Sequence, residues 1–165
     1  MKSLFILLVL SFTLNIGFAE KIIQRNSEYP IGPDSSVTPG SLCDRPTNYR
    51  YGERIAYCER NVDTNLKKEI FRVYRDQLHY RLDPNTRSQY KIDHLIPLCA
   101  GGSNKQNNLW PQHQTIYNVT DPLEGVGCEQ LKAGKITQQA LIKLILEAKR
   151  SLNKAPDTLR YLNNL

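Results

Sequence analysis

The segment Tyr90 to His113, YKIDHLIPLCAGGSNKQNNLWPQH, constrains the fold of this 165-residue chain more than any other stretch. Tyr90 to Leu95 reads as a strand, rich in residues that favour a pleated surface and ended by Pro97. AGGSNKQN reads as a loop, because glycine and amide side chains permit positive φ and local hydrogen bonds. Asn108-Leu109-Trp110 reads as a second short strand before Pro111. From about Asn118 the pattern turns helical, through Leu123 to Leu131. Gly125 and Gly127 weaken that helix, and Gly134 is a natural stop. The order strand, long loop, short strand, helix is a ββα unit over about residues 90–131.

Helices are expected on both sides of it. Asp63-Thr64 caps one in which Leu66, Ile70, Val73 and Tyr74 recur at helical spacing, running to about Leu78. LDPNTRS is a turn. Thr137 caps a last helix with Leu141, Leu144, Ile145 and Ala148 on its apolar side. The polar tail after Asn153 is expected to fray. Residues 20–41 have neither a helical nor a strand period and read as an extended polar arm or linker, with the domain proper at 42–165.

The first residues read as a signal peptide. Lys2 supplies the positive start, Leu4 to Phe18 is mostly apolar, and Gly17-Phe18-Ala19 places small residues at the cleavage position. The run is short for a membrane helix, so cleavage after Ala19 is expected, with an uncleaved anchor as the alternative. No cysteine follows at a lipidation position. Export to the periplasm or beyond, with no lasting membrane insertion, is the expectation. Losing Lys2 from 22 basic residues leaves 21 against 16 acidic ones, net +5. That surplus suits a polyanion without demanding one.

Cys43, Cys58, Cys99 and Cys128 make an even set. In an exported chain this implies two disulfides with three conceivable pairings. Cys43–Cys58 and Cys99–Cys128 give short loops that do not nest. No C-x-x-C pair occurs, which argues against a structural zinc site.

The chemistry centres on Asp93-His94. Hydrolysis of a phosphodiester needs a base for the attacking water, stabilisation of the charge on the phosphoryl oxygens, and help for the leaving oxygen. Neutral histidine is the natural base near pH 7, and a hard divalent ion on a few oxygen ligands meets the other two needs. On a regular strand Asp93 and His94 point to opposite faces, so joint action requires a bend there. Taken alone, the pair reads as a turn cap and a half-exposed surface residue.

With its surroundings the pair says more. Asp93-His94, Ile96-Pro97, Gly101-Gly102-Ser103 and Asn108-Leu109, in that order and before a helix, resemble the HNH, or His-Me finger, endonuclease family. The likeness is strongest from Tyr90 to about Glu124, and closest to small exported bacterial nucleases whose signature continues Asn-Leu-Trp-Pro. The resemblance implies an α+β fold: a ββα-metal (His-Me finger) core flanked by helices, here stapled by disulfides. It implies His94 as general base, Asn108 as the residue that ties the loop, and Asp93 as a ligand of one divalent metal. Mg²⁺ is the expected ion, with Mn²⁺ or another divalent ion as alternatives. For the last metal ligand Asn118 is the first choice, with Asp121, Glu124 and His113 as alternatives; capping is the plain structural use of Asn118.

The function expected is metal-dependent endonucleolytic hydrolysis of DNA, with RNA left open as a second substrate; the resemblance implies 5′-phosphate and 3′-hydroxyl ends. No added base-reading module is visible, so low sequence specificity follows. Arg87, Lys91 and Lys105 are candidate phosphate contacts, among further basic residues Arg72, Arg75 and Arg81. Trp110 reads as core packing rather than a base-stacking platform, and His79 as a surface or packing residue. A monomer is expected, and a protective inhibitor protein is left open. The rival is a non-catalytic exported ββα domain that binds nucleic acid or a protein, and a third reading is a disulfide-stapled structural domain.

Overall fold

A computed structural model describes residues 28–165; the expected signal peptide and the first part of the arm lie outside the described residues. The fold is mixed α+β, with two small antiparallel sheets, several helices and two disulfides. The elements are β1 (Asn48–Arg50), β2 (Ile55–Tyr57), α1 (Thr64–Arg72), β3 (Tyr90–His94), β4 (Leu109–His113), α2 (Gln114–Lys132), α3 (Gln138–Arg150) and α4 (Ala155–Asn163).

Helix α1 starts where the sequence says, with the Asp63 carboxylate accepting from the Leu66 N–H at 2.8 Å. It continues as a wider π-helical turn over Val73–Gln77, close to the expected end. Strands β3 and β4 pair antiparallel, with Asp93 opposite Trp110 and His94 opposite Leu109. Strand β4 runs on through Pro111, whose missing N–H is tolerated because the sheet has only two strands and both are edges.

Helix α2 begins at Gln114, earlier than the periodicity suggests, because the His113 ring caps it by accepting from the Thr115 N–H. Gly127 does not break this helix: it lies against α3, and a Cβ there would meet Leu141 Cδ1 at 2.5 Å. Thr137 caps α3 by accepting from the Ala140 N–H.

Three segments depart from expectation. The tail does not fray: Pro156 opens α4, and Ala155 and Leu162 are buried in the core shared by α2, α3 and α4. Residues 48–57 form the β1–β2 hairpin, which carried no alternating pattern to announce it; Cys43–Cys58 ties its base. The described part of the arm is neither extended nor free: it bends and then turns, the Val37 and Thr38 N–H groups donating to the Asp34 carbonyl. Thr38 is buried, its hydroxyl hydrogen-bonds Tyr74 Oη at 2.8 Å and donates to the Leu109 carbonyl, and Leu42 bridges to Gly102.

The second core joins α1 to the β3–β4 hairpin through Ile70, Tyr74, Ile92, Leu109 and Trp110. Trp110 is fully buried, so it packs rather than stacks on a ligand. Both disulfides form with the expected pairing, and Cys99–Cys128 pins the start of the β3–β4 loop to α2. Among the described residues no helix is long and apolar enough to cross a membrane.

Candidate functional site

The β3–β4 loop is held by its own end. Asn108 is fully buried; its Oδ1 accepts from the Ile96 N–H at 2.9 Å, and its Nδ2 donates to the Ile96 carbonyl at 3.0 Å and the Ser103 carbonyl at 2.9 Å. Gly102 is required by the same closure, since a Cβ there would stand 1.8 Å from the Ile96 carbonyl oxygen. The preceding Gly101 sits at φ 83°, in the left-handed region that favours glycine. One amide and two glycines thus shape the turn that follows Asp93-His94.

His94 is 3% exposed. Its Nδ1 lies 3.2 Å from Arg60 Nη1, and its Nε2 lies 3.0 Å from Asn104 Oδ1. The guanidinium can only donate, so Nδ1 is the acceptor and the proton sits on Nε2, donated to Asn104. Asn104 is oriented for this because its Nδ2 donates to the Glu59 carbonyl at 2.7 Å. Arg60 is anchored by donating to the Ile92 carbonyl at 3.0 Å. Burial pushes the imidazole down to about 4 against the hydrogen bond it donates to Asn104 and the charge of Asp93, and Arg60 adds to the fall, so the ring is neutral at pH 7.

Arg60 and Asn104 also line a cleft of about 400 Å³ with Arg45, Thr47, Asn61, the Cys58 end of a disulfide and one acidic residue, Glu59, so that its lining carries two positive charges against one negative. Two guanidiniums with amide and hydroxyl groups beside them form a surface suited to a phosphodiester. The lone pair of His94 is therefore directed at the wall of a basic cleft.

Asp93 meets different neighbours, as alternation along β3 requires. Its Oδ2 accepts from Lys149 Nζ at 2.6 Å, and Lys91 Nζ is 3.4 Å from its Oδ1. Lys149, near the end of α3, is 0% exposed. The same ammonium donates to the His94 carbonyl at 2.6 Å and to Glu124 Oε1. Burial alone would lower the lysine's pKa, but Asp93 and Glu124 outweigh it and hold it above the ordinary value. Burial would raise Asp93, and Lys149 with Lys91 brings it below the usual carboxylate range. Glu124 goes the other way: burial, with repulsion from Asp93, pushes it up to about 7 against the pull of Lys149.

Among the residues proposed for the last metal ligand, the structure brings Glu124 to Asp93, through Lys149. Asp121 pairs with Lys91 on the edge of the same cluster. Asn118 is exposed one residue round the helix from Tyr117, whose ring lies under Lys91, and it takes no part in the cluster. His113 caps α2 and stacks on Tyr29 with ring centroids 4.1 Å apart, so it is not brought to Asp93.

The oxygens around Lys149 decide how a metal fits. Two carboxylates and a carbonyl are the donors Mg²⁺ prefers. Here all three are hydrogen-bonded to one buried ammonium, whose three donors they match. Among the described residues no group of three or more His, Cys, Asp or Glu is disposed to hold a metal ion. The residues as arranged do not fit a divalent ion.

The candidate phosphate contacts are engaged within the protein. Arg87 donates to the Tyr90 carbonyl and covers the Phe71 ring, Lys91 joins Asp121 and Asp93, and Lys105 pairs with Asp44 at 2.6 Å. A second basic cleft of about 500 Å³ lies along α1, lined by Lys67, Lys68, Phe71, Arg72, Arg75 and Arg87, and shares no lining residue with the cleft beside His94. Sequence reasoning missed Arg60, Asn104 and Lys149. For Asn104 the loop itself was a signal; for the other two none was available.

No protein-family model, curated protein or solved structure matches the chain.

Proposed function

We propose that the protein is an exported endonuclease of the His-Me finger kind that hydrolyses phosphodiester bonds of DNA, with RNA left open, and with low sequence specificity. The observation that carries the reading is a neutral His94 whose Nδ1 lone pair faces Arg60 at the wall of a basic cleft. The order β3, loop, β4, α2, with Asp93-His94 ending the first strand and Asn108 closing the loop, supports it. The two disulfides suit the oxidising compartment that export implies.

In this reading a phosphate entering the cleft draws Arg60 onto a non-bridging oxygen and frees the Nδ1 lone pair. A water then attacks phosphorus as its proton passes to Nδ1, while Asn104 holds the Nε2–H. The bond to the 3′-oxygen breaks, that oxygen takes a proton from solvent, and the phosphate stays on the 5′ side. Arg60 supplies the charge that meets the developing negative oxygens. No step runs through a metal, because the oxygens that would ligate one are held by Lys149.

A specific observation favours the rival, a non-catalytic domain that binds nucleic acid: His94 is nearly inaccessible and Asp93 is already neutralised. The two readings separate in one assay. Supercoiled plasmid is incubated with the oxidised protein, Arg60→Ala and His94→Ala, and retention of DNA on the protein is measured in parallel. Cleavage lost in both variants supports the endonuclease. Retention without cleavage by the unaltered protein supports the rival, and neither supports a purely structural domain.

A further inference from the structure

A fully buried lysine is unusual, because an ammonium loses its hydration and has to find an acceptor for every N–H. Lys149 finds all three, and they come from two separate elements: Asp93 Oδ2 and the His94 carbonyl from the end of β3, and Glu124 Oε1 from α2. The lysine reaches them from α3. The oxygens face inward on a common point, as they would around a hard cation, and the point is closed to solvent on the lysine's side. Its contacts with Asp93 and His94 are 2.6 Å, the length of a charge-assisted hydrogen bond and longer than the ~2.1 Å of a Mg²⁺–oxygen bond. The oxygens of Asp93 and His94 are therefore spaced for an ammonium. A divalent ion at the same point would sit against a buried positive charge.

We propose that Lys149 is a built-in cation, its ammonium filling the oxygen-lined position that a divalent ion would otherwise take between Asp93, Glu124 and the His94 carbonyl. The unaltered protein then binds no divalent metal at this point. Shortening the lysine leaves two carboxylates and a carbonyl around an open space and creates a site for a hard divalent ion such as Mn²⁺ or Mg²⁺. The proposal deepens the functional reading at the same site, but its test reads metal binding and does not depend on cleavage.

The experiment is titration of the oxidised full chain with Mn²⁺ alone, followed by calorimetry and by the loss of the free-ion electron paramagnetic signal. Four proteins are compared: unaltered, Lys149→Ala, Asp93→Asn, and the double variant Lys149→Ala with Asp93→Asn. The unaltered chain is expected to take up no stoichiometric Mn²⁺. Lys149→Ala is expected to bind one equivalent, at least about tenfold more tightly than any uptake by the unaltered chain, and the added Asp93→Asn to abolish it. If Lys149→Ala unfolds in the absence of metal, recovery of its far-ultraviolet circular dichroism on adding Mn²⁺ gives the same answer. One-to-one Mn²⁺ binding by the unaltered chain that Asp93→Asn removes would overturn the proposal. So would Lys149→Ala that neither binds Mn²⁺ nor refolds in it. Failure of plasmid cleavage alone would strike the nuclease reading and leave these results untouched.

Discussion

Replacing Asn108 by alanine tests how the loop beside His94 is held. The side chain is fully buried and makes three close hydrogen bonds to the main chain, at 2.9 Å to the Ile96 N–H, 3.0 Å to the Ile96 carbonyl and 2.9 Å to the Ser103 carbonyl, besides a long one from the Ser41 N–H at 3.5 Å. Alanine leaves those three backbone groups without their partner in a region closed to water. At about 1–3 kcal/mol for each buried group left unsatisfied, and allowing for partial relaxation, the loss comes to about 3–5 kcal/mol. That is a large fraction of the ~5–15 kcal/mol that holds an ordinary domain together. Asn108→Asp sharpens the test. It keeps the acceptor for Ile96 but turns a donor into a carboxylate facing two carbonyl oxygens. Its cost at pH 7 should equal or exceed that of alanine and should shrink as the pH falls and the carboxyl gains a proton. The assay is urea unfolding of the oxidised protein, with the midpoint shifting and the slope unchanged. Amide exchange at Ile96 should accelerate in both variants. A loss below about 1 kcal/mol for Asn108→Ala would refute the reasoning, because it would mean that the loop closes without this side chain.

The remaining predictions concern protons and sulfur. His94 titrates at about 4 in the folded chain against an ordinary 6.5, so its contribution to stability is present above 6.5 and is lost as the pH falls through 4. Between pH 7 and 4 the unaltered protein should therefore lose about 3 kcal/mol more than His94→Gln in urea unfolding. Glu124, raised to about 7, contributes with the opposite sign, favouring the fold at low pH and losing that contribution as the pH rises through 7. It is common to both proteins and cancels in the difference; equal pH profiles would contradict the buried neutral imidazole. Cys99→Ala with Cys128→Ala should cost about 2–4 kcal/mol and increase protease cutting within 99–107, since that bridge ties the loop to α2. Unchanged cutting would mean that Asn108 suffices to hold the loop.

The parts of the fold legible in the sequence were those written locally. Asp63 and Thr137 announced α1 and α3 as caps, and the apolar spacing behind them was right. The β3–β4 hairpin was legible from Pro97, the glycines and the amide-rich loop, although β4 proved longer because Pro111 is harmless on an edge. The disulfides followed from loop length. The β1–β2 hairpin was not legible, since its short strands lack alternation and depend on Cys43–Cys58. Helix α4 was hidden by polar residues on its outer side, although Leu159 and Leu162 faced the core. In the site, Asp93, His94 and Asn108 stand in one stretch and could be read together. Arg60 and Lys149 could not: they reach His94 and Asp93 across 34 and 56 residues of chain. A lysine beside Ala148 on an amphipathic helix ordinarily reads as solvated, and only the packing of α3 against β3 and α2 turns it inward.

The measurement that bears most directly on the functional claim is the cleavage rate of a fluorogenic DNA oligonucleotide at pH 7, read for the unaltered protein and His94→Ala, each in Mg²⁺ and in EDTA. The account predicts equal cleavage by the unaltered protein in both media and a rate at least about 100-fold lower for His94→Ala, the size of effect a positioned general base supplies. Cleavage by His94→Ala at the unaltered rate, or none by the unaltered protein in either medium, would contradict it.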